Sequence, residues 1–249
     1  MKLLKLEFYK CRRRKILLIC AAALGMELLW MGVYFARMEP EEMTEGWMLL
    51  LYNLSMVDSI ILPLGIATLA SRNCELEHKG NTWKLLETMT SPSGLYAAKI
   101  CWGALILGGL LLIRLGLFLG VGIFLQFSRP IPWSQLGFFT LLSWGVSLML
   151  YTLQQGLSLY FANQAVPLIF GISGSFLGLL SLLFPQALIR CVPWGYYGLM
   201  SLSGMDWDPV TRVSTFYWIW PLPVDLALLL VWTVAFLVLG RTLFVKKEV

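Results

Sequence analysis

The chain has 249 residues, of which 58% are hydrophobic and only 13% are charged, whereas a soluble domain carries about 25% charged residues. This composition excludes an ordinary soluble domain, because too few polar residues are present to cover the apolar surface, and it predicts an integral membrane protein. The net charge of +5 does not indicate nucleic-acid binding. The basic run from Lys10 to Lys15 directly precedes a long apolar segment, a placement that suits anionic lipid headgroups.

Residues 1–15 mix apolar and basic side chains, which predicts an amphipathic helix lying in the membrane interface. The apolar run at residues 16–36 is too long for the core of a secretory signal and contains Glu27, so we expect it to stay as a membrane anchor. A bilayer core needs about 20 apolar residues per helix. Six spans meet this length, at about 16–36, 47–70, 96–126, 135–161, 166–189 and 222–245. The sequence therefore predicts an all-α membrane protein in which residues 1–249 form a single domain of six transmembrane helices.

Lysine and arginine are distributed unequally between the two sides of this predicted bundle. Six spans put both termini on one side, and that side holds fourteen Lys and Arg residues against four on the other. Cytoplasmic loops carry the excess of basic residues in membrane proteins. We therefore expect both termini to be cytoplasmic.

Residues 71–95 form the only sizeable cytosolic loop in this topology. The stretch ELEHKGNTWKLLETMTSPSG within it is polar and charged, although it lies between two apolar spans. Its residues Thr82, Leu86 and Met89 fall on one helical face and Lys84 on the other, which predicts a short amphipathic helix. That helix either caps the two neighbouring spans or meets a partner on the cytosolic side.

Two further segments carry local signals. Ser91 followed by Pro92 predicts a helix N-cap and a first helical residue, so the third span should begin there. Residues 190–221, before the last span, are rich in Trp and Tyr, which suit a membrane interface. We expect this outer segment to be re-entrant, folding back onto the outer leaflet.

Acidic residues, a short turn, a helix and a lysine entering the next span follow one another in the cytosolic loop. They are Glu75, Glu77, Gly80-Asn81-Thr82-Trp83-Lys84, Ser91-Pro92-Ser93 and Lys99. This order resembles the loop between the second and third spans of ABC-2 type transporter permeases, and the six-span plan is similar to that family as well. The small size and the stretch ELEHKGNTWKLL are most similar to permeases of lantibiotic-immunity transporters.

The resemblance implies a bacterial ABC exporter whose permease expels a lantibiotic or a similar amphipathic antimicrobial peptide. It implies that the loop is a coupling helix, that ATP and Mg are bound by a separate ATPase subunit, and that the permease pairs with a second copy or a sister permease. The sequence holds no G-x-x-x-x-G-K-[ST] motif to bind phosphate. The alternatives are a permease for a lipid or drug, or a membrane scaffold or sensor subunit that does not transport.

Three charged residues fall deep within predicted spans, namely Glu27, Asp58 and Arg114. A charge at the bilayer centre costs about 2.5–3.5 kcal/mol even on the lenient insertion scale, so we expect the three to face protein or water and to partner one another. They either fix helix packing or line a path that attracts a cationic peptide. Asp225, near the outer end of the last span, is expected to be solvated, the alternative being a contribution to release or capture of the cargo.

An enzyme is not expected. Gly171-Ile172-Ser173-Gly174 matches the G-x-S-G of rhomboid-like intramembrane proteases, but a serine nucleophile needs a base. The only histidine is His78, which precedes the motif in the cytosolic loop and is expected to be solvated. No cluster of His, Cys, Asp and Glu has the spacing of metal ligands.

Overall fold

The computed structural model describes residues 2–11, 15–38, 42–80, 83, 86, 88, 90–127, 130–210 and 214–246. Within these ranges the chain is mainly helical. The helices are α1 (Lys2–Cys11), α2 (Ile16–Phe35), α3 (Gly46–Lys79), α4 (Pro92–Phe124), α5 (Trp133–Tyr160), α6 (Ala165–Ser181), α7 (Gln186–Ile189), α8 (Tyr196–Leu199) and α9 (Pro223–Lys246), with 3-10 turns at Glu42–Glu45 and Pro193–Gly195. Two short strands, β1 (Ser203–Trp207) and β2 (Ser214–Trp218), lie between α8 and α9.

Five helices in the described part of the chain are long and apolar enough to cross a membrane, namely α2, α3, α4, α5 and α9. They coincide with five of the six expected spans. The expected span at 166–189 corresponds to α6, which has 17 residues. At about 1.5 Å per residue α6 is about 25 Å long, somewhat shorter than the bilayer core of about 30 Å. The architecture is that of an all-α membrane protein.

Helix α3 extends further than the expected span at 47–70, because it continues to Lys79 through the first part of the predicted loop. Polar side chains in this extension are buried by other helices. Asn73 donates a hydrogen bond to the Tyr151 hydroxyl, and the Glu77 carboxylate accepts hydrogen bonds from two lysines. Helix α4 begins as predicted, with the Ser91 side chain accepting a hydrogen bond from the Gly94 amide and Pro92 at the first position. The predicted N-cap is confirmed.

Helices α3 and α5 form the centre of the bundle, and α2, α4 and α9 surround them with mostly exposed apolar surfaces. Close helix contacts rest on glycine at two crossings. A Cβ at Gly103 of α4 would collide with the Tyr151 ring of α5, and Gly156 of α5 meets the Gly240 backbone of α9. Small residues permit such close approach in a membrane, where packing rather than hydrophobic burial drives helix association.

The aromatic segment at residues 190–221 packs partly into the bundle and partly forms a hairpin. Trp194, Tyr196 and Tyr197 are buried in the main core, and Trp194 covers Gly174 and Gly178 of α6 so closely that neither glycine could carry a side chain. Strands β1 and β2 pair antiparallel, with Ser203 opposite Trp218. The sequence reading did not anticipate this hairpin.

The two ends of the bundle differ in what they hold. At one end Trp83, a described residue of the polar loop, makes an edge-to-face contact with Phe244 near the C-terminus of α9, with ring centroids 5.5 Å apart. We call this end, which also holds α1 and the start of α4, the loop end. The opposite end, where the β1–β2 hairpin lies, is the hairpin end.

Candidate functional site

Four charged side chains from three helices meet at the loop end and form what we call the loop-end charge cluster: Glu7, Lys10, Glu77 and Lys99. The Lys99 Nζ lies 3.2 Å from both a Glu7 and a Glu77 carboxylate oxygen, and it donates to the Asn73 carbonyl at 2.9 Å. The Lys10 Nζ bridges the same two carboxylates at 3.1 and 3.0 Å. Two positive and two negative charges therefore alternate around one centre.

This cluster is buried. Lys99 is fully inaccessible, and Glu7 and Glu77 are 1% and 2% exposed. Buried charges are tolerated when each is paired and hydrogen-bonded, and strongly destabilising when one partner is removed. The cluster therefore fixes α1 against α4 and the end of α3, so α1 is joined to the bundle and does not only lie on its surface.

Trp83 connects the polar loop to three helices. Its Nε1 donates to the His78 Nδ1 at 3.2 Å, its ring contacts Phe244 of α9, and the Lys99 Nζ of α4 lies 5.9 Å from the ring centroid. The last distance is within the range of a cation–π contact. Trp83 belongs to a small core of its own, with Cys74, Leu95, Tyr96, Leu159 and Phe244.

The structure separates the residues that the family resemblance grouped as coupling residues. Glu77 and Trp83 are buried inside the loop end, whereas Glu75 bonds to the neighbouring Lys79 and Arg72 on the outside of α3. Gly80 is exposed just after the last turn of α3. The other two, Thr82 and Lys84, lie outside the described residues. Glu75 and Gly80 are thus the described members of the group that face outward.

His78 is not the solvated loop residue that the sequence suggested. It lies in the last turn of α3, half-buried, where its Nε2 is 2.9 Å from the Ser158 carbonyl and its Nδ1 accepts from Trp83. If Nδ1 accepts, Nε2 carries the proton and donates to the carbonyl. His78 therefore holds the loop against the C-terminal end of α5, and the earlier expectation is wrong because it assumed that α3 ended sooner.

The three intramembrane charges, which we call the mid-bundle charge group, come together in the structure. Arg114 Nη1 donates to both oxygens of Asp58, at 2.8 and 2.7 Å, and Glu27 Oε1 lies 4.0 Å from the same nitrogen. Neither Glu27 oxygen accepts a hydrogen bond within the described ranges, and Arg114 Nη2 likewise has no partner there. All three side chains are almost completely inaccessible, so none lines an open path in this conformation.

The aromatic segment closes the mid-bundle charge group from one side. Tyr197 shares a 2.8 Å hydrogen bond with Ser147 of α5, and burial raises the pKa of the Tyr197 hydroxyl. Tyr197 therefore remains neutral next to the charges. Phe139 covers the Arg114 guanidinium, which lies 5.5 Å from the ring centroid. The group is enclosed by polar and aromatic side chains as well as by lipid-facing helices.

Asp225 is also not solvated, contrary to the expectation from sequence. It is 2% exposed and accepts a 2.6 Å hydrogen bond from Arg190 Nε. Its position in the first turn of α9 is favourable for a carboxylate, because the helix dipole is positive there. The pair joins the start of the aromatic segment to the start of α9.

The comparison with protein-family models gives a match over most of the chain. The model described as ABC-2 family transporter protein matches residues 3–178. The chain belongs to the ABC-2 transporter family. No curated protein matches it. As a member of this family it is a multi-pass membrane protein, and the family implies association with ABC ATPase partners.

Sequence reasoning missed part of the site in this ABC-2 transporter family protein. Glu7 was not singled out within the predicted amphipathic helix, and Lys10 was assigned to anionic lipid headgroups, yet both complete the loop-end charge cluster. A signal was present, because Glu7 is the single acidic residue of α1 and stands among exposed apolar side chains such as Leu6 and Phe8. An acidic residue in a basic helix would be repelled by anionic headgroups, and it needs a cationic partner elsewhere in the fold.

Proposed function

We propose that the chain is the permease subunit of a bacterial ABC exporter, with the loop end in the cytoplasm and ATP hydrolysed by a separate subunit. The excess of Lys and Arg on the side of the termini supports this orientation. We also propose that α6 completes a set of six crossings. It begins after the Phe161–Gln164 turn, near His78 at the loop end, and its Gly178 lies against Trp194, beyond the middle of the bundle toward the hairpin end.

The observation that carries the proposal is the position of Trp83. Force applied to the polar loop by an ATPase subunit would reach α3 through His78, α4 through Lys99 and α9 through Phe244. Glu77 supports these contacts from inside the loop-end charge cluster. In this scheme Glu75 and Gly80, which face outward, are placed to meet the ATPase, and Trp83 transmits the motion.

We propose a lantibiotic or a similar amphipathic antimicrobial peptide as the cargo, with self-protection as the role. The support is the resemblance of the loop stretch ELEHKGNTWKLL to permeases of lantibiotic-immunity transporters. The mid-bundle charge group is enclosed, so contact between Glu27 or Asp58 and a cationic cargo requires the helices to open. A homodimer, or a heterodimer with a sister permease, would provide the second half of the transporter.

The test uses the full-length permease reconstituted in vesicles with its ATPase, and measures ATP turnover stimulated by a cationic lanthipeptide. Replacing Trp83 by Ala should reduce the stimulation about tenfold, the size of an ordinary coupling free energy, with basal turnover and membrane insertion unchanged. Trp83→Phe keeps the ring contact with Phe244 and loses the hydrogen bond to His78, so it should retain part of the stimulation. Trp133→Ala, at an exposed tryptophan near the start of α5, is the matched control.

Three outcomes would be informative. Full stimulation in Trp83→Ala would refute the route through this residue. Stimulation by a lipid or a drug but not by the lanthipeptide would refute the proposed cargo and support the proposal that the chain belongs to an exporter. If no compound stimulated ATP turnover in the vesicles, and cells that carry the protein nevertheless survived the lanthipeptide, the chain would be a scaffold or sensor that does not transport.

A further inference from the structure

A groove opens between α4 and α9 at the loop end, on the outer surface of the bundle. Its volume is about 530 Å³, and its lining includes Ser93, Tyr96, Ala97, Cys101, Val238 and Arg241. A second hollow of about 270 Å³ shares Ser93, Val238 and Arg241 with it and continues along α9 to Lys246. We call the two together the α4–α9 groove.

The groove exists because α9 packs along α5 and only touches α4. The close approach of Gly156 and Gly240 draws α9 onto α5, whereas α4 and α9 meet through a hydrogen bond from the Tyr96 hydroxyl to the Leu237 carbonyl and through the longer Arg241–Ser93 hydrogen bonds. Beyond that contact the facing side chains are small, with Ala97 and Cys101 on α4 opposite Val238. No larger side chain from the described residues fills the space between the two helices.

The surface of the groove combines an apolar floor with a basic rim. Tyr96 and Ile100 form the floor, and the exposed Arg241 and Lys246 stand at the rim. Among the described residues, Arg241 donates long hydrogen bonds, of 3.3 and 3.4 Å, to the Ser93 hydroxyl. No acidic side chain lines the groove in the part of the chain that the structure describes, so no described groove residue neutralises these two cations.

We infer that this groove binds one anionic phospholipid, with an acyl chain along the apolar floor and the phosphate at Arg241 and Lys246. The volume of the larger part of the groove falls within the range of small-ligand sites, which is about 300–1,000 Å³. Basic pockets between transmembrane helices at the cytoplasmic side are suited to anionic headgroups. The lipid would be a resident component that joins α4 to α9, distinct from any exported cargo, and the inference does not depend on the ATPase.

A second copy of the chain fits the groove less well than a lipid does. A two-fold interface uses the same surface patch on both copies, so it would bring four cations, Arg241 and Lys246 of each copy, into one contact. Repulsion between these cations opposes such a contact in the low dielectric of the membrane. An anionic lipid instead supplies the charge that the rim lacks.

The headgroup is tested by native mass spectrometry of the full-length permease with phosphatidylglycerol or phosphatidylcholine added back after delipidation. The wild type should retain phosphatidylglycerol in preference to phosphatidylcholine. The double variant Arg241→Gln, Lys246→Gln should lose about fivefold in affinity per charge removed. Lys79→Gln removes an exposed lysine at the same end that does not line the groove, and it should bind as the wild type does. Inorganic phosphate should not compete, because it has no chain to occupy the floor.

The acyl chain is tested by filling the groove while keeping both cations. Ala97→Phe should abolish retention of phosphatidylglycerol at an unchanged unfolding temperature, and Leu112→Phe, at an exposed position elsewhere on α4, should have no effect. Unaltered lipid retention in both Ala97→Phe and the double variant would overturn the inference, as would competition by inorganic phosphate. A disulfide between the Cys101 residues of two copies, formed with an oxidant in native membranes, would also overturn it, because a second copy would then cover the groove.

Discussion

The two buried charge groups of this permease differ in balance. The loop-end charge cluster has two cations and two carboxylates, and each carboxylate contacts both lysines. The mid-bundle charge group has one cation for two carboxylates, and Asp58 takes both hydrogen bonds from the Arg114 Nη1 while Glu27 takes none. The first group is neutral and satisfied, whereas in the second Glu27 lies 4.0 Å from the Arg114 Nη1 and accepts no hydrogen bond from the described residues.

This difference indicates different roles. A satisfied cluster built from α1, α3 and α4 joins elements that would otherwise separate, so it serves as a structural clamp at the end where the polar loop lies. A carboxyl without hydrogen bonds in a low dielectric contributes little to the stability of the observed conformation, because its desolvation is a cost. Glu27 is therefore the charged residue of the bundle that the observed structure needs least, which makes it the better candidate for a role in another conformation.

Removing Arg114 should produce the largest effect on stability. Arg114→Met leaves Asp58 and Glu27 buried without a cation, so we expect the free energy of unfolding to fall by about 3–5 kcal/mol. Equilibrium unfolding in mixed micelles with a rising fraction of SDS measures the change. Adding Asp58→Asn to the same chain should recover most of the loss. If the single variant were as stable as the wild type, water must reach the group and the enclosed arrangement would be refuted.

Breaking the loop-end charge cluster should cost somewhat less, because its members have several partners each. Lys99→Met leaves Glu7 and Glu77 with Lys10 alone, and we expect a loss of about 2–3 kcal/mol. Glu77→Gln alone and combined with Lys99→Met completes a double-mutant cycle, which should show coupling between the two positions. Additive effects would mean that these residues do not act as one cluster.

The sequence predicted the helices well and the partners of their polar residues poorly. Apolar length placed five spans within a few residues of α2, α4, α5, α9 and the start of α3, because hydropathy along the chain is a local property. The end of α3 was predicted too early, because Asn73 and Glu77 are polar and were assigned to the loop. Their partners, Tyr151 and Lys99, lie on other helices and are not evident from the local sequence. Arg114, Asp58 and Glu27 were expected to partner one another, because a lone charge in the membrane is costly, but the sequence did not show which carboxylate Arg114 would bind.

The predictions that His78 and Asp225 are solvated were wrong for a related reason. His78 and Asp225 are polar residues near helix ends, where exposure is the usual state, and no local pattern shows that Ser158 or Arg190 will cover them. The hairpin of β1 and β2 was missed because its residues were interpreted by composition, as an aromatic interface segment. Strand pairing depends on alternation and register, which a count of Trp and Tyr does not test.

Lys10 should show how far the loop-end charge cluster depends on its more accessible cation. Its side chain is 19% exposed, compared with 0% for Lys99, so water screens its attraction to the two carboxylates. We expect Lys10→Met to lower the free energy of unfolding by about 1 kcal/mol, less than Lys99→Met in the same assay. Lys5→Met, at an exposed lysine of α1, is the matched control. Equal losses for Lys10 and Lys99 would show that burial does not rank the members of the cluster.

The smallest effect on stability should come from Glu27. Its carboxyl group is 4.0 Å from Arg114 Nη1 and accepts no hydrogen bond from the described residues, so Glu27→Gln changes a buried polar group without breaking a hydrogen bond. We expect a change of less than about 1 kcal/mol in either direction, whereas Asp58→Asn, which loses the two-pronged contact with Arg114, should cost more than twice as much. Both variants replace a carboxyl group by an amide of similar size, so each is a control for the other. If Glu27→Gln proved as destabilising as Asp58→Asn, both carboxylates would be structural partners of Arg114, and the contrast between a satisfied clamp at the loop end and a surplus carboxyl in mid-bundle would not hold.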